Sequence, residues 1–311
     1  MPAGIRGRLV AIVGPTGVGK SRLGLWLARD FGGEIVSADS RQVYRYMDIG
    51  TAKPSPDEQS LVAHHLIDVV DPDQDFSLAC YQEMAYQAID GIVFGGRLPI
   101  LAGGSGQYVW AVLEGWQVPR VPPDGGFRRH LQERATQAGG HSLYQELKAM
   151  DPAAAGRIDP RNVRRVIRAL EVARGASAPV SETQGKQAPP YQLLIIGLTA
   201  ERAELYRRTD ARVDAMIQRG LVDEVRELVR MGYGETGPVA SGIGYRQVLA
   251  FLRDEISLEE AVRQIKTETH RLVRQQYAWF RRQDGRIEWF DIQAEPEEGI
   301  RALVGRFLKA A

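Results

Sequence analysis

Gly14-Pro15-Thr16-Gly17-Val18-Gly19-Lys20-Ser21 stands directly behind the apolar run Leu9-Val10-Ala11-Ile12-Val13. It satisfies G-x-x-x-x-G-K-[ST] at every fixed position, in the order buried strand, glycine turn, helix that a phosphate-binding loop requires. Glycine lets backbone N–H groups converge on phosphate oxygens, and a helix beginning at Ser21 points its positive end at the anion. Lys20 adds a point charge, and Ser21 carries the hydroxyl expected to meet a phosphate-bound Mg²⁺. The stretch predicts an α/β chain that binds a polyphosphate or a diphosphate. The loop alone leaves open whether the ligand is a nucleoside triphosphate or another diphosphate ester.

The rest of the chain extends this into a parallel sheet. Glu34–Ser40 reads as a second strand ending in polar residues, and Leu98–Ala102 as a third, ending in Gly103-Gly104-Ser105-Gly106. Between them residues 76–91 have helical spacing, and strand–helix alternation places function at the strands' carboxyl ends. Asp39 and Ser105 sit at such ends and are expected near the phosphate loop. The pattern changes at the Pro/Gly-rich 119–126, after which residues 127–174 carry helix signals without a strand until a loose 175–190. Tyr191–Leu198 then reads as a strand returning to the sheet. The expected division is an α/β core over 1–118, an all-helical insertion over 119–190, and a second core part over 191–311, mostly helical. In that last part 201–231 has a 3.6-residue apolar period, which resumes over 259–282.

With 311 residues and a net charge of +1, the chain carries no global nucleic-acid signature, so such a partner must be argued from local patches. The lone Cys80 rules out an intrachain disulfide and a cysteine-rich zinc site. The five histidines, His64-His65 among them, lack metal-ligand spacing and read as structural. No apolar run reaches the roughly 18 residues of a membrane helix, and Met1–Arg8 has no signal core, so a cytoplasmic protein without a membrane partner is expected; a monomer is taken as the default.

Asp39 by chemistry alone is a general base, a metal-shell ligand or a helix cap. The segment Asp39-Ser40-Arg41-Gln42-Val43-Tyr44 and the following Met47–Pro54, together with the phosphate loop, resemble the tRNA dimethylallyltransferases. The likeness continues in order through His64–Asp68, Gly103–Tyr108, Arg164–Glu171, Gly242–Gln247 and Gln276–Arg281. The resemblance implies transfer of a dimethylallyl group from its diphosphate to N6 of adenosine 37 in tRNA, on a P-loop core. It implies Asp39 as general base and Ser105, where the family more often has Thr, as a hydroxyl at the leaving diphosphate. Gly14, Thr16, Gly17, Val18, Gly19, Lys20, Ser21 and Arg212 are implied to hold that diphosphate, with Mg²⁺ at Ser21. Asp39, Ser40, Arg41, Gln42, Arg128, Arg164, Arg165, Val166, Ile167, Arg168, Gly244, Tyr245, Arg246 and Gln247 are implied at the anticodon stem-loop.

Two basic runs, each read by itself first as a solvated helix face, together fit an RNA partner. Arg161, Arg164, Arg165 and Arg168 read as positive charge with little opposing acid. So does 263–286, where Tyr277, Trp279 and Phe280 are either stacking platforms or core. The family pattern is broken at His270 and Gln275, where arginine is usual, and at Gln107, where leucine is. The rival readings are a P-loop small-molecule kinase using ATP and a non-catalytic RNA-binding P-loop protein. The kinase wants an acid after Leu98–Ala102, where the chain has Gly-Gly-Ser; the mere binder has no need of Lys20, Ser21 and Asp39 together.

Overall fold

The computed structural model describes residues 7–121, 124–175, 185–234 and 237–310. Parts of the linkers expected at 119–126 and 175–190, and most of Met1–Arg8, lie outside the described residues. Among the described residues six strands form one parallel sheet: β1 (Gly7–Val13), β2 (Gly33–Ser37), β3 (His64–His65), β4 (Leu98–Ala102), β5 (Tyr191–Thr199) and β6 (Ile287–Asp291). The spatial order is β3-β2-β4-β1-β5-β6. Residues Leu9–Val13 are fully buried, as expected of a central parallel strand covered on both faces. That is why its sequence is an unbroken apolar run.

The register explains how loops far apart in sequence become neighbours. Ile12 pairs with Ala102 of β4, and Ala102 pairs with Ser37 of β2. The loops that leave β1, β2 and β4 therefore emerge side by side at one edge. The first is the phosphate loop, which leads into the helix Lys20–Phe31. Gly14 at its start has φ +139°, and a Cβ there would lie 2.4 Å from the Leu198 carbonyl oxygen of β5. Only glycine lets the loop leave β1 so close to its neighbour.

Two elements differ from expectation. The last third is not purely helical, because Ile287–Asp291 adds β6 through the pairs Ile195–Ile287 to Thr199–Asp291. The single helix expected over 201–231 is two, Arg202–Gln218 and Leu221–Arg230, separated at Gly220 with φ +98°. The apolar period runs through the break (Val213, Leu221, Val225, Leu228), so spacing alone did not reveal it.

The described residues form two compact units. The first comprises 1–76, 81–113 and 190–311 and contains the sheet. Besides the sheet's core it holds a helical one, built from Met47, Val213, Leu221, Val225, Tyr245, Val248 and Ile265. The second comprises 77–80 and 114–189. Its core is the meeting of helices Gly125–Ala138, Gly140–Met150 and Val163–Gly175 through Leu131, Leu143, Leu147, Val166 and Leu170.

Candidate active site

A cavity of about 420 Å³ opens in the first unit at the carboxyl edge of the sheet. Its polar lining includes Thr16 of the phosphate loop, Asp39 to Arg41 after β2, Ser105 after β4, and Arg212 of the Arg202–Gln218 helix. Its apolar lining includes Val213, Met216, Ile243, Ile265, Leu272 and Trp279. A polar end and an apolar wall thus share one volume.

Each polar group is held by named bonds. Lys20 Nζ donates to the carbonyls of Gly14 at 2.9 Å and Pro15 at 2.8 Å. Burial, and then repulsion from Arg212, bring its pKa down to about 7, with Asp39 pulling the other way. Lys20 and Arg212 thus set two cations against each other at this end of the site, with the Asp39 carboxylate as the opposing charge. Arg212 Nη1 donates to Thr16 Oγ1 at 3.3 Å, tying helix to loop. Asp39 Oδ1 accepts the Arg41 N–H at 2.8 Å, which orients one carboxylate oxygen. Ser105 Oγ accepts the Ser40 N–H at 2.9 Å and donates to Ser40 Oγ at 3.2 Å. The β2 and β4 loops are fastened to each other at the residues expected to do chemistry.

Gln276, quoted in the sequence only within a stretch of resemblance, is central here. It is buried, and its Oε1 accepts the Thr16 N–H at 2.7 Å while its Nε2 donates to the Gly104 carbonyl at 2.9 Å. One amide braces the phosphate loop against the loop after β4. The legible signal was a glutamine on the buried stripe of the Leu258–Trp279 helix, in line with Ala261, Ile265 and Val273. Thr209, buried on the stripe of Leu205 and Val213, gives the same signal and also lines the cavity.

Other expected residues fall elsewhere. Gly17, Val18 and Gly19 continue the phosphate loop, and Ser21 is exposed at the head of its helix. Gln42 accepts from Ser37 Oγ at 3.0 Å and donates to the carbonyls of Thr51 and Ala52 at 3.3 and 3.2 Å, an internal brace. Gly244 and Tyr245 line the cavity. Gln247 is buried and caps Gly244 N at 3.0 Å, so its side chain faces inward rather than toward a ligand. Arg246 is exposed.

The second unit corrects the picture of an unopposed basic cluster. Val166 and Ile167 are buried in its core, because the helix packs its apolar stripe inward, and their side chains are not available to RNA. Arg128 and Arg168 both pair with Glu171, whose side chain is only 2% exposed. Arg161 pairs with Asp159 at 2.8 Å. Arg164 and Arg165 are exposed. The run 263–286 is likewise partly neutralised, Arg263 by Glu260, Lys266 by Asp214 and Arg286 by Asp284. Its aromatics divide. Phe280 is fully buried core, Tyr277 shares a 2.9 Å hydrogen bond with Thr199, and Trp279 lines the cavity. His270 bonds Asp210 at 2.7 Å and stacks on Tyr206, and Gln275 lines the cavity with Gln107. Among the described residues no group of three or more His, Cys, Asp or Glu could hold a metal by itself, and no helix is long and apolar enough to cross a membrane.

A family model described as IPP transferase matches residues 42–283. A tRNA dimethylallyltransferase of Roseiflexus castenholzii is 57% identical over 274 residues, covering 88% of this chain and 90% of that protein. That of Dehalococcoides mccartyi is 52% identical over 300 residues, covering 96% and 92%. Among solved structures, the full-length tRNA isopentenylpyrophosphate transferase of Bacillus halodurans superposes with a TM-score of 0.71 at 39% identity, over 97% of each chain. A eukaryotic dimethylallyltransferase described as acting on tRNA gives a TM-score of 0.80 at 26% identity, over 97% of this chain and 80% of that one. With a parallel sheet, a phosphate loop and a mixed polar and apolar cavity at its edge, the chain belongs to the IPP transferase family, that of the tRNA dimethylallyltransferases.

Proposed function

We propose that this enzyme transfers the dimethylallyl group of dimethylallyl diphosphate to N6 of adenosine 37 in tRNA and releases diphosphate. The observation that carries this is the cavity in which phosphate loop, Asp39, Ser105 and an apolar wall meet. Diphosphate seats on the loop N–H groups, Lys20 and Arg212, and the five-carbon chain lies against apolar residues such as Val213 and Met216. The N6 amine attacks C1 of the allyl group, the C1–O bond breaks with its electron pair going to diphosphate, and Asp39 takes the N6 proton. Lys20 and Arg212, cations held at the loop, would stabilise the charge that develops on the leaving oxygens. An exocyclic adenine amine is a weak nucleophile, so proton removal and alignment both contribute. Ser105, fixed by Ser40 in the same cavity, offers a hydroxyl to the leaving diphosphate.

Ser21 fits a magnesium site of the kind that relies on substrate. Ser21 is exposed at the head of the helix, where its hydroxyl would hold the ion together with the bound diphosphate. Bound there, Mg²⁺ supplies charge neutralisation for the diphosphate.

The target base must leave the anticodon-loop stack to reach a pocket at the sheet edge. Ser40, Arg41, Gly244, Tyr245 and Arg246 border the opening on this reading, while Arg164 and Arg165 of the second unit serve as exposed phosphate contacts. The enzyme works in the cytoplasm on folded tRNA. A kinase reading is disfavoured because β4 ends in Ala102-Gly103-Gly104-Ser105 with no acid. Incubation with Mg²⁺, labelled dimethylallyl diphosphate and unmodified tRNA, with ATP hydrolysis followed in parallel, tests the proposal. Label in tRNA that disappears when adenosine 37 is replaced is the expected result; ATP turnover without label would overturn it.

A further inference from the structure

Glu224 lies in the first turn of the Leu221–Arg230 helix and does not line the cavity, yet its carboxylate is saturated with donors from residues that do or that adjoin it. Oε2 accepts the N–H groups of Asp48 at 3.1 Å and Ile49 at 2.7 Å. Oε1 accepts the N–H of Gly50 at 3.1 Å and the Tyr245 hydroxyl at 2.7 Å. Three successive backbone N–H groups converging on one anion form a nest, here filled by a side chain of the protein itself. Charge-assisted bonds of this kind are roughly twice as strong as neutral ones.

The turn so held has little freedom. A Cβ on Gly50 would lie 2.5 Å from the Tyr245 ring, so the turn and the ring are in close approach. Lys53, with its side chain 4% exposed, closes the far side by bonding Asp48, Asp68 and the Tyr44 carbonyl. Gly50, Thr51 and Ala52 then present themselves to the cavity, and the Thr51 and Ala52 carbonyls receive Gln42 Nε2. The bonds run from Glu224 through the turn to the segment Asp39–Gln42. The phosphate loop is braced separately, by Gln276 and Arg212.

We propose that Glu224 is a positioning residue for the transfer reaction: by holding the 48–52 turn and Tyr245, it fixes the acceptor side of the cavity and the segment that carries Asp39, while leaving the diphosphate side alone. The proposal rests on the transferase reading above. Its test is Glu224→Gln, which keeps the shape but offers one acceptor oxygen in place of two and turns an NH₂ toward N–H donors.

Transfer kinetics with both substrates, together with amide hydrogen exchange at Asp48, Ile49 and Gly50, read the effect in the intact chain. The expected result is protected amides in the wild type that exchange much faster in the variant. With it comes a loss in kcat of about 10²-fold, the size of a misplacement near 1 Å, a raised KM for tRNA and an unchanged KM for dimethylallyl diphosphate. A general loosening of the fold would instead move both KM values. Wild-type kinetics in the variant, a parallel rise in both KM values, or amides that exchange equally fast in both proteins would overturn the proposal. If Glu224→Gln does not melt cooperatively, Tyr245→Phe takes its place: it removes one of the four bonds and is expected to lower kcat by about tenfold, or 1.4 kcal/mol of barrier, with the same split in KM. A wild-type kcat in that variant would count against Glu224 equally. Failure of the wild type to label tRNA at all would sink the functional reading instead, and the exchange measurement would still decide whether Glu224 holds the turn.

Discussion

Asp39 lines the cavity from the turn after β2, with Oδ1 committed to the Arg41 N–H. Asp39→Ala is expected to lower transfer by about 10²–10⁴-fold, the range for general-base removal, with tRNA affinity largely kept. A filter-binding assay beside the transfer assay separates the two, and an active variant removes Asp39 as base. Lys20 carries a second prediction. Its pKa near 7, against an ordinary 10.5, means that the unliganded site is increasingly neutral above pH 7. Between about 7 and 10.5 the unfolded chain holds more protons than the folded one, so unliganded stability rises with pH through that window. Diphosphate restores the charge, so binding at pH 8 is expected to take up a proton and to weaken as pH rises further. Calorimetry in buffers of different ionisation enthalpy reads the uptake, which Lys20→Met should abolish.

At the scale of elements, the Leu258–Trp279 helix acts on the sheet through one side chain. Gln276→Leu strands the Thr16 N–H and the Gly104 carbonyl, each unmade bond costing about 1–3 kcal/mol where water is excluded. A rise of about tenfold in KM for dimethylallyl diphosphate, equal to 1.4 kcal/mol, is expected, with a smaller change for tRNA; equal changes would argue against a bracing role. In the second unit the Val163–Gly175 helix is fixed through Glu171. Burial alone would raise its pKa, but hydrogen bonds from Arg128 and Arg168 and from the Asp124 N–H hold it below the ordinary carboxylate value of 4.5. Its stabilisation is therefore present above pH 4.5 and lost as pH falls through the depressed value. Arg128→Ala is expected to destabilise this unit by about 2 kcal/mol, seen in urea denaturation, before it alters any RNA contact.

For the whole molecule, a net charge of +1 means that RNA affinity cannot come from bulk attraction and must come from a few exposed cations. Arg164 and Arg165 are such cations, whereas Arg128, Arg161 and Arg168 are occupied by acids. Replacing Arg164 and Arg165 together is expected to reduce the slope of log K against log salt for tRNA by about one to two. An unaltered slope would return both to the role of solvated helix face.

The amino-acid sequence by itself determined the strands that are buried along most of their length. β1, β4 and β5 each carry an apolar run because both faces of a central parallel strand are covered. It also determined the phosphate loop, since that chemistry is local in the chain. The edge strands were not legible: His64-His65 is two residues long and β6 alternates Glu288 with Trp289, so each exists because a neighbour's unpaired backbone is there to receive it. Tertiary structure alone decided which charges are free, because an arginine in a helix reads the same whether or not an acid such as Glu171 is folded against it. It also decided what Gln276 and Glu224 do. Their partners lie 260 and about 175 residues away in the chain, and only the sheet order that sets three loops side by side brings them within a hydrogen bond.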